Sequence, residues 1–198
     1  SSNQWWSDNG IIQITVDPRA GGHNGREGLD MIYRQLTVWE VKDFCAWAEW
    51  LQSLPYVDGD KIGVEGFSFG GTMTCMLLMQ ASDKFHYGIA GGGVYDWALY
   101  DSHYTERYMD TPQDNPEGYK NSDLTQRAGD LKGRLQIIIG ANDPVCVPQH
   151  SIAFLRACID AGTHPDYFIY PGAEHNMFGR DRIHLHERIT QYFEDFLK

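Results

Sequence analysis

Three residues of this chain have the types and the order needed for nucleophilic catalysis. Ser68 lies in Gly66-Phe67-Ser68-Phe69-Gly70-Gly71, a Gly-x-Ser-x-Gly pattern. Asp143 and His175 follow, in Ala141-Asn142-Asp143-Pro144 and Glu174-His175-Asn176. A serine hydroxyl is a weak nucleophile until a base takes its proton. Histidine suits that task because it ordinarily titrates near neutrality. A carboxylate behind the imidazole fixes its tautomer and stabilises the imidazolium. Each residue alone has a plainer reading: a strand–turn–helix connection for Ser68, a turn for Asp143, a solvated loop for His175. Asp17 and Glu174 compete for the acid role. Asp17 precedes the serine and Glu174 adjoins His175, so neither fits the order.

The elements around these residues make the catalytic reading the stronger one. The run over 61–65 predicts a buried strand before Ser68, and 72–80 predicts a buried helix after it. The turn between them is tight, and glycine on both flanks avoids Cβ clashes. The backbone N–H of Phe69, one past the serine, is then placed to hold an oxyanion. Apolar runs predict further strands over 11–16, 85–91, 135–140 and 166–170. Ser68, Asp143 and His175 each stand just past the C-terminal end of a strand. In a parallel sheet those ends share one edge, where ligands bind.

Helices are expected over 37–53, 123–128, 148–161 and 180–197. Thr37 and Glu40 form a capping-box pattern. Val41, Phe44, Cys45, Ala48 and Leu51 make one apolar face of the first helix. Trp39, Trp47 and Trp50 widen it, which predicts cover on more than one side. His184 and His186 are two apart and face different directions on a helix, as surface or capping residues. Strands alternating with helices imply an α/β fold with a mostly parallel sheet and helices on both faces. The order Ser, Asp, His is that of α/β-hydrolases. Trp97, Tyr100, Tyr104 and Tyr108 recur at helical spacing. That leaves two readings open, a core-facing helix or an aromatic substrate pocket beside Ser68.

A length of 198 residues allows one domain with a full core. The net charge of −11 argues against a nucleic-acid surface, which needs clustered Lys and Arg. No apolar run approaches the ~20 residues of a membrane-spanning helix. Cys45, Cys75, Cys146 and Cys158 are too scattered for a disulfide framework. No spacing of His and Cys suggests a metal, and no cofactor is expected.

The residues also resemble the catalytic domain of the prolyl oligopeptidase family, in its dipeptidyl peptidase IV branch. Tyr104-Thr105-Glu106-Arg107-Tyr108-Met109 looks like that branch's motif after the nucleophile. The stretches over 112–119 and 127–135, with Glu174-His175-Asn176, look closest to prolyl tripeptidyl aminopeptidases. The resemblance implies a serine peptidase that cuts after proline and releases short peptides from a free N-terminus. Ser68, Asp143 and His175 would be its triad, and Val94, Trp97, Tyr100 and Tyr104, with Phe69, would shape a flat pocket for proline.

Three positions depart from the pattern. Val145 stands where dipeptidyl peptidase IV proteins carry a substrate-holding Asn, as in the tripeptidyl branch. The elbow has Phe67 and Phe69 in place of Trp and Tyr, and Arg19-Ala20 replaces Arg-Gly. The family's β-propeller, an upstream oxyanion-donating Tyr and the strand that carries it have no counterpart here. The chain is therefore expected to be one catalytic domain, over 1–198, lacking the N-terminal strands of the fold. Its exposed strand edges would either pair with a second copy, giving a homodimer, or pair with each other. The resemblance points to a periplasmic or cell-surface setting. The alternatives are an acylaminoacyl-peptidase or carboxylesterase on the same fold, or an inactive oligomerisation module.

Overall fold

Parallel strands are favoured where both faces of a sheet are covered, and the segments over 88–91 and 135–140 are buried throughout, whereas Tyr167 and Ile169 on the last strand stay exposed. The structure, a computed structural model, describes residue 11 and residues 38–67, 69–92, 124–144, 148–175 and 177–197. Strands β1 (Gly63–Phe67), β2 (Tyr87–Gly91), β3 (Arg134–Gly140) and β4 (Asp166–Tyr170) lie side by side in sequence order. All three pairings are parallel. The register brings Phe67, Gly91, Gly140 and Tyr170 to the C-terminal edge.

Helices α1 (Val38–Ser53), α2 (Phe69–Gln80) and α3 (Pro148–Ala161), with a 3-10 helix at Leu124–Asp130, cover one face. Helix α4 (Gly179–Leu197) covers the other, where Leu185, Ile189, Tyr192 and Phe193 pack on Ile89, Ile138 and Tyr170. Helix α2 is buried all round from Gly71 to Met79, as a run apolar on every side must be. Helix α3 ends in a Schellman motif. Gly162, at φ +78°, donates to Ile159 O, and Thr163 N–H donates to Cys158 O. Asp58 Oδ1 accepts from Asp60 N–H in the turn that leads to β1.

The expected strands and helices within the described residues are present, α3 and β4 with the expected limits and α2 three residues earlier than expected. One expectation is corrected. Ala48 is buried and Val41, Phe44, Cys45 and Leu51 pack on the core, but Trp47 and Trp50 are 43% and 50% exposed. The two rings meet edge to face, 5.7 Å apart, on the outer side of α1. Helix α1 is thus covered on one side, because nothing lies beyond this outermost helix in the described layers. The strand expected over 11–16, apart from residue 11, and the aromatic segment over 94–108 lie outside the described residues. Among the described strands β1 has β2 as its one partner. The two ways of satisfying its other edge therefore concern residues outside those described. No helix among the described residues is long and apolar enough to cross a membrane.

Candidate active site

The candidate site forms where β1, β3 and β4 end. Strand β1 ends at Phe67 and α2 begins at Phe69. Ser68, between them, lies outside the described residues, as do the Phe69 side chain and Val94, Trp97, Tyr100, Tyr104 and Val145. The turn's geometry is nonetheless readable from its flanks. A Cβ on Gly66 would sit 2.3 Å from Gly70 O, and one on Gly71 would sit 2.6 Å from Gly91 O. Strand, helix and β2 approach each other so closely that only glycine fits. Gly70 departs from the expectation of two space-limited flanks. Among the described residues a Cβ there would meet nothing within 4 Å. The second space-limited glycine is Gly71, which seats α2 on β2.

Asp143 follows β3 and His175 follows β4. His175 Nδ1 lies 2.8 Å from Asp143 Oδ2. The carboxylate is buried and the imidazole is 25% exposed, so the pair presents its histidine end to solvent. Of the competing acids, Glu174 is exposed, and Asp17 lies outside the described residues.

Backbone contacts hold the two loops together. Asn142 N–H donates to Ala173 O at 2.9 Å, and Ala141 N–H donates to Tyr170 O at 3.1 Å. A Cβ on Gly140 would come within 3.0 Å of Ala173 O and 2.9 Å of Glu174 O, so the strand ends in glycine to let the histidine loop close over it. Gly92, at φ +55°, packs its α-carbon against the pair; a Cβ there would lie 3.5 Å from Asp143 Oδ2. A small concavity in front of the pair is lined by Phe67, Gly92, Asp143, His175 and Met177. Among the described residues no group of three or more His, Cys, Asp or Glu is placed to hold a metal ion.

Reading the sequence alone missed Gly140, Gly92 and Met177 as parts of this edge. The available signal was a glycine closing β3 three residues before the acid.

A buried acid hydrogen-bonded to a partly exposed histidine lies beside a glycine-walled strand–helix turn, a pair chemically able to act as a general base. The family model for the prolyl oligopeptidase family matches residues 1–198. The chain belongs to the prolyl oligopeptidase family. It is 40% identical over 172 residues to the probable dipeptidyl-aminopeptidase B of Grosmannia clavigera, covering 85% of this chain and 18% of that protein. It is 35% identical over 190 residues to the probable dipeptidyl-aminopeptidase B of Aspergillus oryzae, covering 94% of this chain and 21% of that protein.

Among solved structures, a dipeptidyl peptidase 4 of Porphyromonas gingivalis superposes with a TM-score of 0.88 at 39% identity. A candidate dipeptidyl aminopeptidase IV of Bacteroides ovatus gives 0.90 at 51%. Each match covers 92% of this chain and 26% of the other. The chain therefore spans about a fifth of the length of the curated relatives it matches. Its sheet, helices and neighbours are those of an α/β-hydrolase fold.

Proposed function

We propose that residues 1–198 form the catalytic domain of a serine exopeptidase that cuts after proline near a peptide's free N-terminus. The observation that carries this reading is the 2.8 Å contact between His175 Nδ1 and buried Asp143 at the sheet edge where β1 also ends. In the proposed mechanism Ser68 Oγ attacks the carbonyl carbon of the proline residue, and its proton passes to His175 Nε2. Asp143 holds Nδ1 protonated and stabilises the imidazolium. The Phe69 N–H, in the first turn of α2, donates to the oxyanion. Collapse expels the amine, which takes the proton from His175. Water, activated by the same histidine, then hydrolyses the acyl-enzyme. The aromatic side chains of Trp97, Tyr100 and Tyr104, with Val94, are assigned the proline ring, which offers no N–H to satisfy.

The relatives' names support release of dipeptides. Val145, standing two positions past Asp143 where the dipeptidyl branch has Asn, favours tripeptides as the second reading.

The test is fluorophosphonate labelling of the chain, located by peptide mass spectrometry, followed by chromogenic di- and tripeptides ending in proline. Labelling confined to Ser68 and lost in Ser68→Ala is expected. An unlabelled, folded chain overturns the assignment for these 198 residues. Cleavage of p-nitrophenyl esters without proline peptides would convert the reading to an esterase.

A further inference from the structure

We infer that the hydrogen bond between Tyr170 and His184 is a staple that positions His175, making both of them positioning residues of the site. The inference deepens the proposed function, since it rests on His175 as the general base. The return from β4 to α4 runs from Pro171 to Phe178, with His175 past its middle. Its first half is anchored: Ala173 N–H donates to Tyr170 O at 3.2 Å, and Ala173 O accepts from Asn142. Its second half leads past exposed Phe178 into Gly179, at φ +59°. Where that half lies depends on where α4 begins.

One column of side chains sets that position. Tyr170 Oη lies 2.7 Å from His184 Nδ1, in the second turn of α4. The His184 ring stacks on Phe168, 5.3 Å between centroids and 23° between planes. One helical turn later Arg188 lies over the same ring, 4.0 Å from its centroid, and donates from Nε to Gln136 Oε1 at 2.9 Å. The lower contacts fix α4 along the sheet. The Tyr170–His184 bond is the one nearest the loop.

Tyr170 thereby touches everything that must stay in register. Its carbonyl accepts from Ala141 in the acid loop and Ala173 in the base loop, and its buried side chain holds α4. Burial pushes its phenol up, which keeps the proton on the hydroxyl across the range where a histidine base works. A tether of this kind acts through geometry, because a small displacement of a base from its nucleophile is costly in rate.

The experiment measures the rate of Ser68 labelling by a fluorophosphonate in the 198-residue chain, its thermal midpoint, and the downfield imidazole N–H signal of His175. Tyr170→Phe and His184→Ala should each slow labelling about tenfold and broaden or lose the signal, with little change in midpoint. His184→Asn, whose amide can replace Nδ1 toward the hydroxyl, should restore both to near the unmodified values. Unchanged labelling in Tyr170→Phe, or His184→Asn as slow as His184→Ala, overturns the staple. So does a slowing that follows the thermal midpoint across the variants. Should Tyr170→Phe fail to fold, the His184 pair decides. Absence of labelling in the unmodified chain defeats the serine-peptidase reading instead. The His175 signal then still decides the staple: its loss in Tyr170→Phe supports it, and its persistence overturns it.

Discussion

The elbow at β1–α2 and the acid–base corner at β3–β4 reach the same sheet edge by opposite means. The elbow is built from missing atoms. Gly66 and Gly71 let backbones approach to distances that no Cβ permits. The corner is built from added bonds, namely Asn142 to Ala173, Ala141 to Tyr170, His175 to Asp143 and Tyr170 to His184. Steric exclusion is stiff and tolerates no substitution, whereas a hydrogen-bonded corner can be loosened one contact at a time. Damage to the elbow should therefore appear as lost stability. Damage to the corner should appear as lost reactivity in a folded chain.

The largest expected effect tests the corner. Asp143→Asn should slow Ser68 labelling by about 10⁴-fold through the wrong tautomer of His175, with circular dichroism unchanged. Loss of fold in that variant would erase the distinction between the two regions. Next comes the elbow. Gly66→Ala or Gly71→Ala should cost about 3 kcal/mol in urea unfolding, since backbone atoms cannot move aside as side chains do. Gly70→Ala, in the first turn of α2 where a Cβ meets no described atom within 4 Å, should instead leave stability equal or raised by up to about 1 kcal/mol.

The third effect concerns α4, on which the corner leans. Tyr192 is buried there, with Arg134 the described cation that influences its hydroxyl. Burial, with help from Asp166 and against a weaker pull from Arg134, pushes its phenol up to about 12. The folded state thus holds this proton more tightly than the unfolded state. The contribution to stability is complete below the unfolded value near 10 and is lost as pH rises toward 12. Unfolding free energies from urea titrations should fall across that window by at most roughly 2–3 kcal/mol, and Tyr192→Phe should flatten the fall. An unchanged slope in the Phe variant would assign the alkaline loss elsewhere. The smallest effect returns to the corner: Gly140→Ala, by pushing on Ala173 O and Glu174 O, should slow labelling about tenfold and cost about 1 kcal/mol.

The same contrast explains what could be read without coordinates. The elbow is written as a local pattern, because steric demands at Gly66 fall on residues close in sequence. The Asp143–His175 pairing was legible through strand ends and chain order, since a parallel sheet aligns them. Gly70 was misread because the pattern prescribes glycine without saying which glycine is short of space. The outer side of α1 was misread because periodicity reports which residues are apolar, not whether another layer arrives to cover Trp47 and Trp50. Tyr170 and His184 left no signal at all. Their bond joins a strand to a helix across the loop, and neither spacing nor composition announces it.

Two thiols stand in these two regions. Cys75 is fully buried in α2, behind the elbow, and Cys158 is fully buried in α3, between the strands of the corner. Burial pushes the Cys158 thiol up, so it is doubly protected from alkylation while folded. Each cysteine is therefore a time stamp on the opening of its own half of the sheet. Pulse alkylation, read site by site by mass spectrometry, would find equal rates if the sheet melts as one body. Earlier modification of Cys158 would reveal the hydrogen-bonded half breathing while the glycine-locked half stays shut.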